Sequence, residues 1–175
     1  MMKPMDDEVV DLVDENDEVI GTINRKNYSD LMVNKKGYIR ASQLFILNSK
    51  GELFTPIRTA DKTIAPNGYD FAAAGHVVTG EDYLAGIIRE AREELGMDLS
   101  QIELEVVMNV TSEAIRYKMR TFLLRQDDTP RLNSEDFVGG EWLTPGEVMR
   151  RIDEGHPAKY VLREALVLLL QYLNR

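Results

Sequence analysis

The chain has 175 residues, 43% of them hydrophobic, which suits one ordinary globular core. Thirty acidic against 21 basic residues give a formal net charge of −9 at pH 7, and that balance argues against broad binding to nucleic acid or an anionic membrane surface. The absence of cysteine excludes disulfides, thiolate zinc sites and a cysteine nucleophile, and it is compatible with a reducing compartment.

The N-terminal MMKPMDDEVVDLVDENDE is acidic and has no apolar core of signal-peptide length, and the longest apolar run, residues 165–170, is too short to cross a bilayer. A soluble cytoplasmic protein with no membrane partner is expected. Residues 9–23 predict two short strands around the turn Glu15-Asn16-Asp17, followed by a polar loop or short helix over 24–36. The apolar runs 41–47 and 52–57, separated by Asn48-Ser49-Lys50-Gly51, predict a hairpin. A loop over 61–68, ending in Pro66-Asn67-Gly68, leads into an apolar stretch at 69–74 and a second loop at 75–80.

A helix is predicted over 81–95, with Glu81 and Asp82 in its first turn and Gly96 where a C-terminal cap belongs. Residues 102–110 and 118–125 predict a further strand pair, and 137–143 a short strand after the Asp127-Asp128-Thr129-Pro130 turn. Thr144-Pro145 has the form of a helix start, Thr144 as N-cap and Pro145 at the first position, and a last helix is predicted over 160–173. The order of elements predicts one α+β domain with helices packed on a mixed sheet.

The helix at 81–95 concentrates charge. At 100° per residue, Glu90, Glu93 and Glu94 fall within an arc of roughly 100°, beside a stripe of Leu84, Ile88, Ala91 and Leu95 expected to face the sheet. Arg89 and Glu93 are spaced to pair. Clustering alone favours a plain solvated face. Three close carboxylates nevertheless raise one another's pKa, and a hard divalent cation such as Mg²⁺ or Mn²⁺ relieves the repulsion through oxygen ligation.

The wider spacing decides between the two. From Gly75 the chain runs five residues to Glu81, seven more to Arg89, then Glu90-Ala91-Arg92-Glu93-Glu94-Leu95-Gly96-Met97. Seven specified residues at about one in fifteen each coincide by chance on the order of once in 10⁸ start points. This pattern resembles the Nudix box, and the strand and helix order over residues 38–155 is similar to the Nudix domain, with 1–37 as an N-terminal β-hairpin extension and 156–175 as a C-terminal helix. The resemblance implies a Nudix fold, a mixed sheet sandwiched between helices, and cleavage of a diphosphate linked to another moiety by water attack on phosphorus.

It further implies Glu93 and Glu94 as main metal ligands, Glu90 as a further ligand or the base, and the carbonyl of Ala74, just before Gly75, as another ligand. Arg89 orients Glu90 or Glu93, Glu81 braces the loop, and Glu135 and Asp136 are candidates for an additional acid from a later loop. Arg58, Lys62, Arg116, Lys118 and Arg120, with His76 beside the box glycine, are candidates to face a small-molecule diphosphate substrate. Tyr69, Phe71 and Phe122 have the option of stacking on a base, and core packing is the alternative.

Three functions are compatible with the resemblance: a divalent-metal-dependent diphosphatase acting on a nucleoside diphosphate derivative or similar small molecule, a non-catalytic nucleotide sensor, and an isomerase. Leu12 to Gly21, LVDENDEVIG, is similar to the lead-in of the isopentenyl-diphosphate isomerase branch, but the cysteine of that branch is missing from residues 71–76 and no histidine precedes His76. The intact carboxylates favour the diphosphatase over the sensor. Leu166, Leu169, Leu170 and Leu173 make a wide apolar face on the last helix, which either packing on its own sheet or contact with a second copy in a homodimer would cover.

Overall fold

The computed structural model describes residues 8–175; residues 1–7, the start of the predicted N-terminal extension, lie outside the described residues. Its framework is an eight-stranded mixed sheet. Strand β3 (Tyr38–Leu47) is the hub. On one side it pairs antiparallel with β1 (Val9–Val13), then β5 (Ala73–His76), then at a single position, Leu47↔Leu53, with β4 (Leu53–Arg58). On the other side it runs parallel with β7 (Tyr117–Arg125) from Ile39↔Tyr117 to Leu47↔Arg125. Strands β2 (Val19–Asn24), β6 (Glu105–Ser112) and β8 (Phe137–Leu143) extend it from β1, β7 and β4.

A strand with neighbours on both edges and side chains covered on both faces has to be apolar along most of its length, and residues 43–47 of β3 are buried without a break. Helix α2 (Tyr83–Leu95) covers one face, packing Tyr83, Ile87, Ala91 and Leu95 against Leu44, Ile46, Phe122 and Leu124. Helix α4 (Leu162–Leu173), with α3 (Pro145–Asp153), covers the other through Leu162, Leu166 and Leu169 against Phe45, Phe71 and Leu123. Helix α1 (Tyr28–Asn34) closes a smaller cluster of Val10, Leu31 and Ile39 beside the N-terminal strands. Among the described residues no helix is long and apolar enough to cross a membrane.

Several boundaries differ from the sequence-based expectation. The predicted 41–57 hairpin meets only at its turn, because β4 leaves β3 to pair along its length with β8. Gly75 and His76, expected in a loop, complete β5, since their peptide groups pair with Ser42 and Ala41 of β3. In the apolar stretch that precedes β5, Tyr69 makes isolated bridges, with Ile57 on one side and Ala158 on the other. The buried stripe of α2 includes Ala91 and Leu95 as expected, with Ile88 partly buried against it, but its first half runs through Tyr83 and Ile87, so Leu84 is 44% exposed while Ile87 is fully buried. The helix presents the line from Tyr83 to the sheet, and Leu84, 100° further round, turns to solvent.

The segment 154–161 between α3 and α4 is fastened to Gly68 and Tyr69. Tyr69 N–H donates to the Pro157 carbonyl and Lys159 N–H to the Tyr69 carbonyl, each at 2.9 Å, and the Tyr69 and His156 rings lie 4.0 Å apart. The approach is so close that a Cβ on Gly68 would lie 2.7 Å from the Pro157 carbonyl carbon and oxygen. Gly68→Ala is therefore expected to destabilise the fold by about 1–3 kcal/mol through overpacking, measured by urea unfolding. An unchanged midpoint would mean that this segment is not held against Gly68.

Candidate metal and active site

The site lies where α2 crosses β5. The helix starts at Asp82, whose carboxylate accepts the Ala85 N–H at 2.8 Å, and ends on Gly96 in the left-handed region at φ 63°. Gly86 sits 3.2 Å (as an added Cβ would) from Val77, and the Ser42 hydroxyl donates to the Tyr83 carbonyl at 2.7 Å. These contacts seat the helix close to the sheet and direct its carboxylates at β5.

Glu94 Oε2 accepts the Ala74 N–H at 2.9 Å. The Glu90 carboxyl lies directly on Gly75: a Cβ there would fall 2.1 Å from its Cδ, so only glycine leaves room for it. Arg89 joins these parts together. Its Nη1 donates to Glu90 Oε1 at 2.5 Å, its Nε to Glu81 Oε1 at 2.9 Å, and its Nη2 to the His76 carbonyl at 2.7 Å and Glu81 Oε2 at 3.1 Å. Glu81 also accepts the Val78 N–H at 3.3 Å, and Glu93 lies 3.6 Å from Arg89 with 41% of its side chain exposed. Of the three carboxylates, Glu90 is buried, Glu94 is half-buried against Ala74 and Glu93 stands at the rim.

Burial, above all, drives the Glu94 pKa well above the ordinary value of 4.5, with Glu90 and Asp70 adding repulsion against the pull of Lys159. Burial likewise raises Glu90 against the attraction of Arg89. Two carboxylates that both resist ionisation form the environment that a divalent cation relieves. Among the described residues no three His, Asp or Glu side chains already converge into a cage. The carboxylate and backbone oxygens that are present would fit a hard divalent cation held through one or two carboxylates and otherwise through water and phosphate oxygens. The donor set is all oxygen, and Gly75 keeps it open.

The remaining sequence-predicted residues are distributed as follows. Arg58 reaches the buried Asp70 and donates to the Ile64 carbonyl at 2.8 Å. Lys62 pairs with Asp136 at 2.6 Å, and Asn133 Nδ2 donates to the other Asp136 oxygen at 2.9 Å. The loop carrying Asp136 and the exposed Glu135 meets α2 through Asn133 N–H, which donates to the Glu94 carbonyl at 2.9 Å. A depression of about 260 Å³ lies between Arg92, Glu93 and residues 131–134 of that loop.

Arg116 is buried away from β5, donating to Glu113 at 2.5 Å and to the carbonyls of Gly37 and Lys35 at 3.0 Å. Arg120 donates to Asn109 at 2.7 Å with its guanidinium 4.5 Å over the Tyr83 ring. Lys118 is held by the Glu15 carbonyl at 2.9 Å and by Thr111. His76 is buried: its Nε2 is 2.7 Å from the Tyr117 hydroxyl and its Nδ1 3.2 Å from Glu8, with burial holding its pKa down. Tyr69, Phe71 and Phe122 are core residues. Two groups beside the site, Asp70 and Lys159, were not singled out from the sequence. Neither belongs to a local pattern, and only packing of distant segments brings them to α2.

The Nudix domain model matches residues 37–165. A Nudix hydrolase from Deinococcus radiodurans is 36% identical over 93% of this chain and 94% of its own length, and an uncharacterized Nudix hydrolase from a Nostoc species is 36% identical over 87% and 89%. The crystal structure of a Deinococcus radiodurans protein, 35% identical, superimposes with a TM-score of 0.80 over 91% of this chain and 97% of that one. The chain belongs to the Nudix family and is a Nudix hydrolase with the Nudix fold. Enzymes of this family act on small diphosphate-type molecules and generally work with a divalent metal ion.

In the metal-free protein the folded state holds the Glu94 proton more tightly than the unfolded chain does. Stability therefore falls as pH rises from the ordinary carboxylate value toward the raised one. In EDTA, Glu94→Gln is expected to melt above wild type at about pH 8 and to lose that excess toward about pH 4. Melting curves that stay parallel across the range would show that Glu94 does not carry this strain.

Proposed function

We propose that this chain is a Mg²⁺- or Mn²⁺-dependent diphosphatase that cleaves a diphosphate linkage in a nucleoside diphosphate derivative or similar small molecule. The observation that carries the reading is the pair formed by buried Glu90, packed on Gly75 and held by Arg89, and half-buried Glu94, bonded to the Ala74 N–H. A pure sensor has no need of two carboxylates held together against their own repulsion. The ion would be held by Glu93, Glu94, Glu90 and the Ala74 carbonyl. When bound, it would acidify the attacking water and neutralise the charge that grows on the phosphoryl oxygens.

The side chains supply the rest. Water oxygen bonds to phosphorus, the bond from phosphorus to the bridging oxygen breaks, and the bridging oxygen leaves on the second phosphate. Glu90, whose burial raises its pKa against the pull of Arg89, is suited to accept the water proton. Arg89 holds Glu90 in one rotamer and ties it to Glu81 and the His76 carbonyl. Asp136, neutralised by Lys62, braces the later loop, and Glu135 beside it is the exposed acid of that loop. A cytoplasmic location is part of the same proposal, and a cysteine-free chain is compatible with a reducing compartment.

The test is incubation with Mg²⁺ and with Mn²⁺ across nucleoside diphosphates, triphosphates, nucleotide sugars and dinucleotide polyphosphates, scoring released phosphate and nucleotide. Wild type is expected to turn over at least one member. Glu94→Gln should lower kcat/KM by more than the roughly 10–100-fold typical of outer-sphere partners. A variant as active as wild type, or no turnover of any diphosphate with either ion, would overturn the proposal.

A further inference from the structure

An acidic site that takes an anionic substrate has to provide positive charge beyond the ion, and most of the nearby cations are already committed. Arg58 serves Asp70 and the Ile64 carbonyl, Lys62 serves Asp136, and Arg116 serves Glu113 with two carbonyls. Lys159 differs. Among the described residues its one ion pair is with Asp70 Oδ1 at 3.4 Å, well beyond the 2.6 Å of Lys62 to Asp136.

Asp70 has little need of it. That carboxylate is 3% exposed, is already paired with Arg58 through Oδ2, and accepts the Phe71 N–H on Oδ1 at 2.8 Å. A second cation is in excess of what one carboxylate requires. The backbone, by contrast, delivers Lys159 with care. The Tyr69 to Ala158 bridge, the hydrogen bonds on either side of it and the His156 ring stacked on Tyr69 fix the residue. The Tyr69 hydroxyl in turn accepts from Arg151 at 2.7 Å and donates to Glu141 at 2.9 Å. This leaves a lysine, its side chain 25% exposed, on a fixed backbone beside Asp70 and within electrostatic reach of Glu90 and Glu94.

We propose that Lys159 is the phosphate-binding cation of this site, its ammonium contacting a non-bridging oxygen of the substrate's diphosphate. The assignment rests on the diphosphatase reading above and adds to it the residue that holds the anion. A lysine suits the task because it acts as a compact charge with three donors and does not need a fixed fork geometry. Once a divalent ion neutralises Glu90 and Glu94, the charge of Lys159 has no remaining carboxylate to balance except the already paired Asp70. A phosphate oxygen then completes its surroundings.

The test uses the full chain, with Lys159→Gln and Lys159→Arg. Methylenediphosphonate, a diphosphate mimic with no bridging oxygen to cleave, is titrated by calorimetry in the presence of Mg²⁺ at low and high salt. Wild type is expected to bind it. Lys159→Gln should raise Kd by about 10- to 100-fold, as loss of one charge-assisted hydrogen bond predicts, and should flatten the salt dependence. Lys159→Arg should restore much of the affinity. With any substrate found, KM should rise in parallel while kcat changes less.

If Lys159 only balances Asp70, Lys159→Gln would lower the melting temperature, leave Kd within about two-fold and leave the salt dependence unchanged; that result overturns the assignment, as does failure of wild type to bind the mimic. Absence of turnover alongside Lys159-dependent binding would overturn the hydrolase reading and leave this one standing.

Discussion

Holding two carboxylates beside each other, largely out of water, is the constraint on which this molecule is organised. Removing a carboxylate from water costs several kcal/mol even after relaxation, yet Glu90 is buried against Gly75 and Glu94 is half-buried against Ala74. Three features make that tolerable. Arg89 spans Glu81, Glu90 and the His76 carbonyl with its fork, Ala74 offers a backbone N–H to Glu94, and Gly75 has no Cβ to occupy the space of the Glu90 carboxyl. The wider architecture serves the same end. Among the described residues β5 pairs with β3 alone, which leaves its other edge to meet the helix, and Gly86 with the Ser42 to Tyr83 bond lets α2 approach closely.

The arrangement is suited to chemistry more than to stability. A pair of carboxylates that resist ionisation is an environment that a divalent cation, as proposed above, would relieve. The rest of the charge is distributed with the opposite logic. Most arginines near the sheet are fixed by carbonyls, carboxylates or aromatic rings, as Arg116 is by Tyr38, Lys35 and Gly37. In a chain with a net charge of −9, local positive charge has to come from an ion and from a few side chains delivered by packing.

The box was legible because its chemistry is local. Glycine, arginine and three glutamates at fixed spacing share one turn and one helix, and the helix period alone brings Glu90, Glu93 and Glu94 to one side. Boundaries were less legible where pairing partners lie far apart in sequence. Gly75 and His76 have the composition of a loop, yet they are strand because Ser42 and Ala41 lie alongside. In the hydrophobic stripe of α2, Ala91 and Leu95 were legible and Leu84 was not: Leu84 fits a helical period as well as Tyr83 and Ile87 do, and only the direction of approach to the sheet chooses between them.

The sequence by itself determined the fold family, the carboxylate helix and the glycine that admits it, because each depends on residues a few positions apart whose spacing is set by the backbone. The tertiary structure decided which carboxylates are buried, which cations are already paired, and that Asp70 and Lys159 belong beside the site. Those outcomes depend on segments joined only through the sheet and through the 154–161 segment seated on Tyr69. Their contacts are set by the packing of the whole chain, which leaves no local periodicity to read.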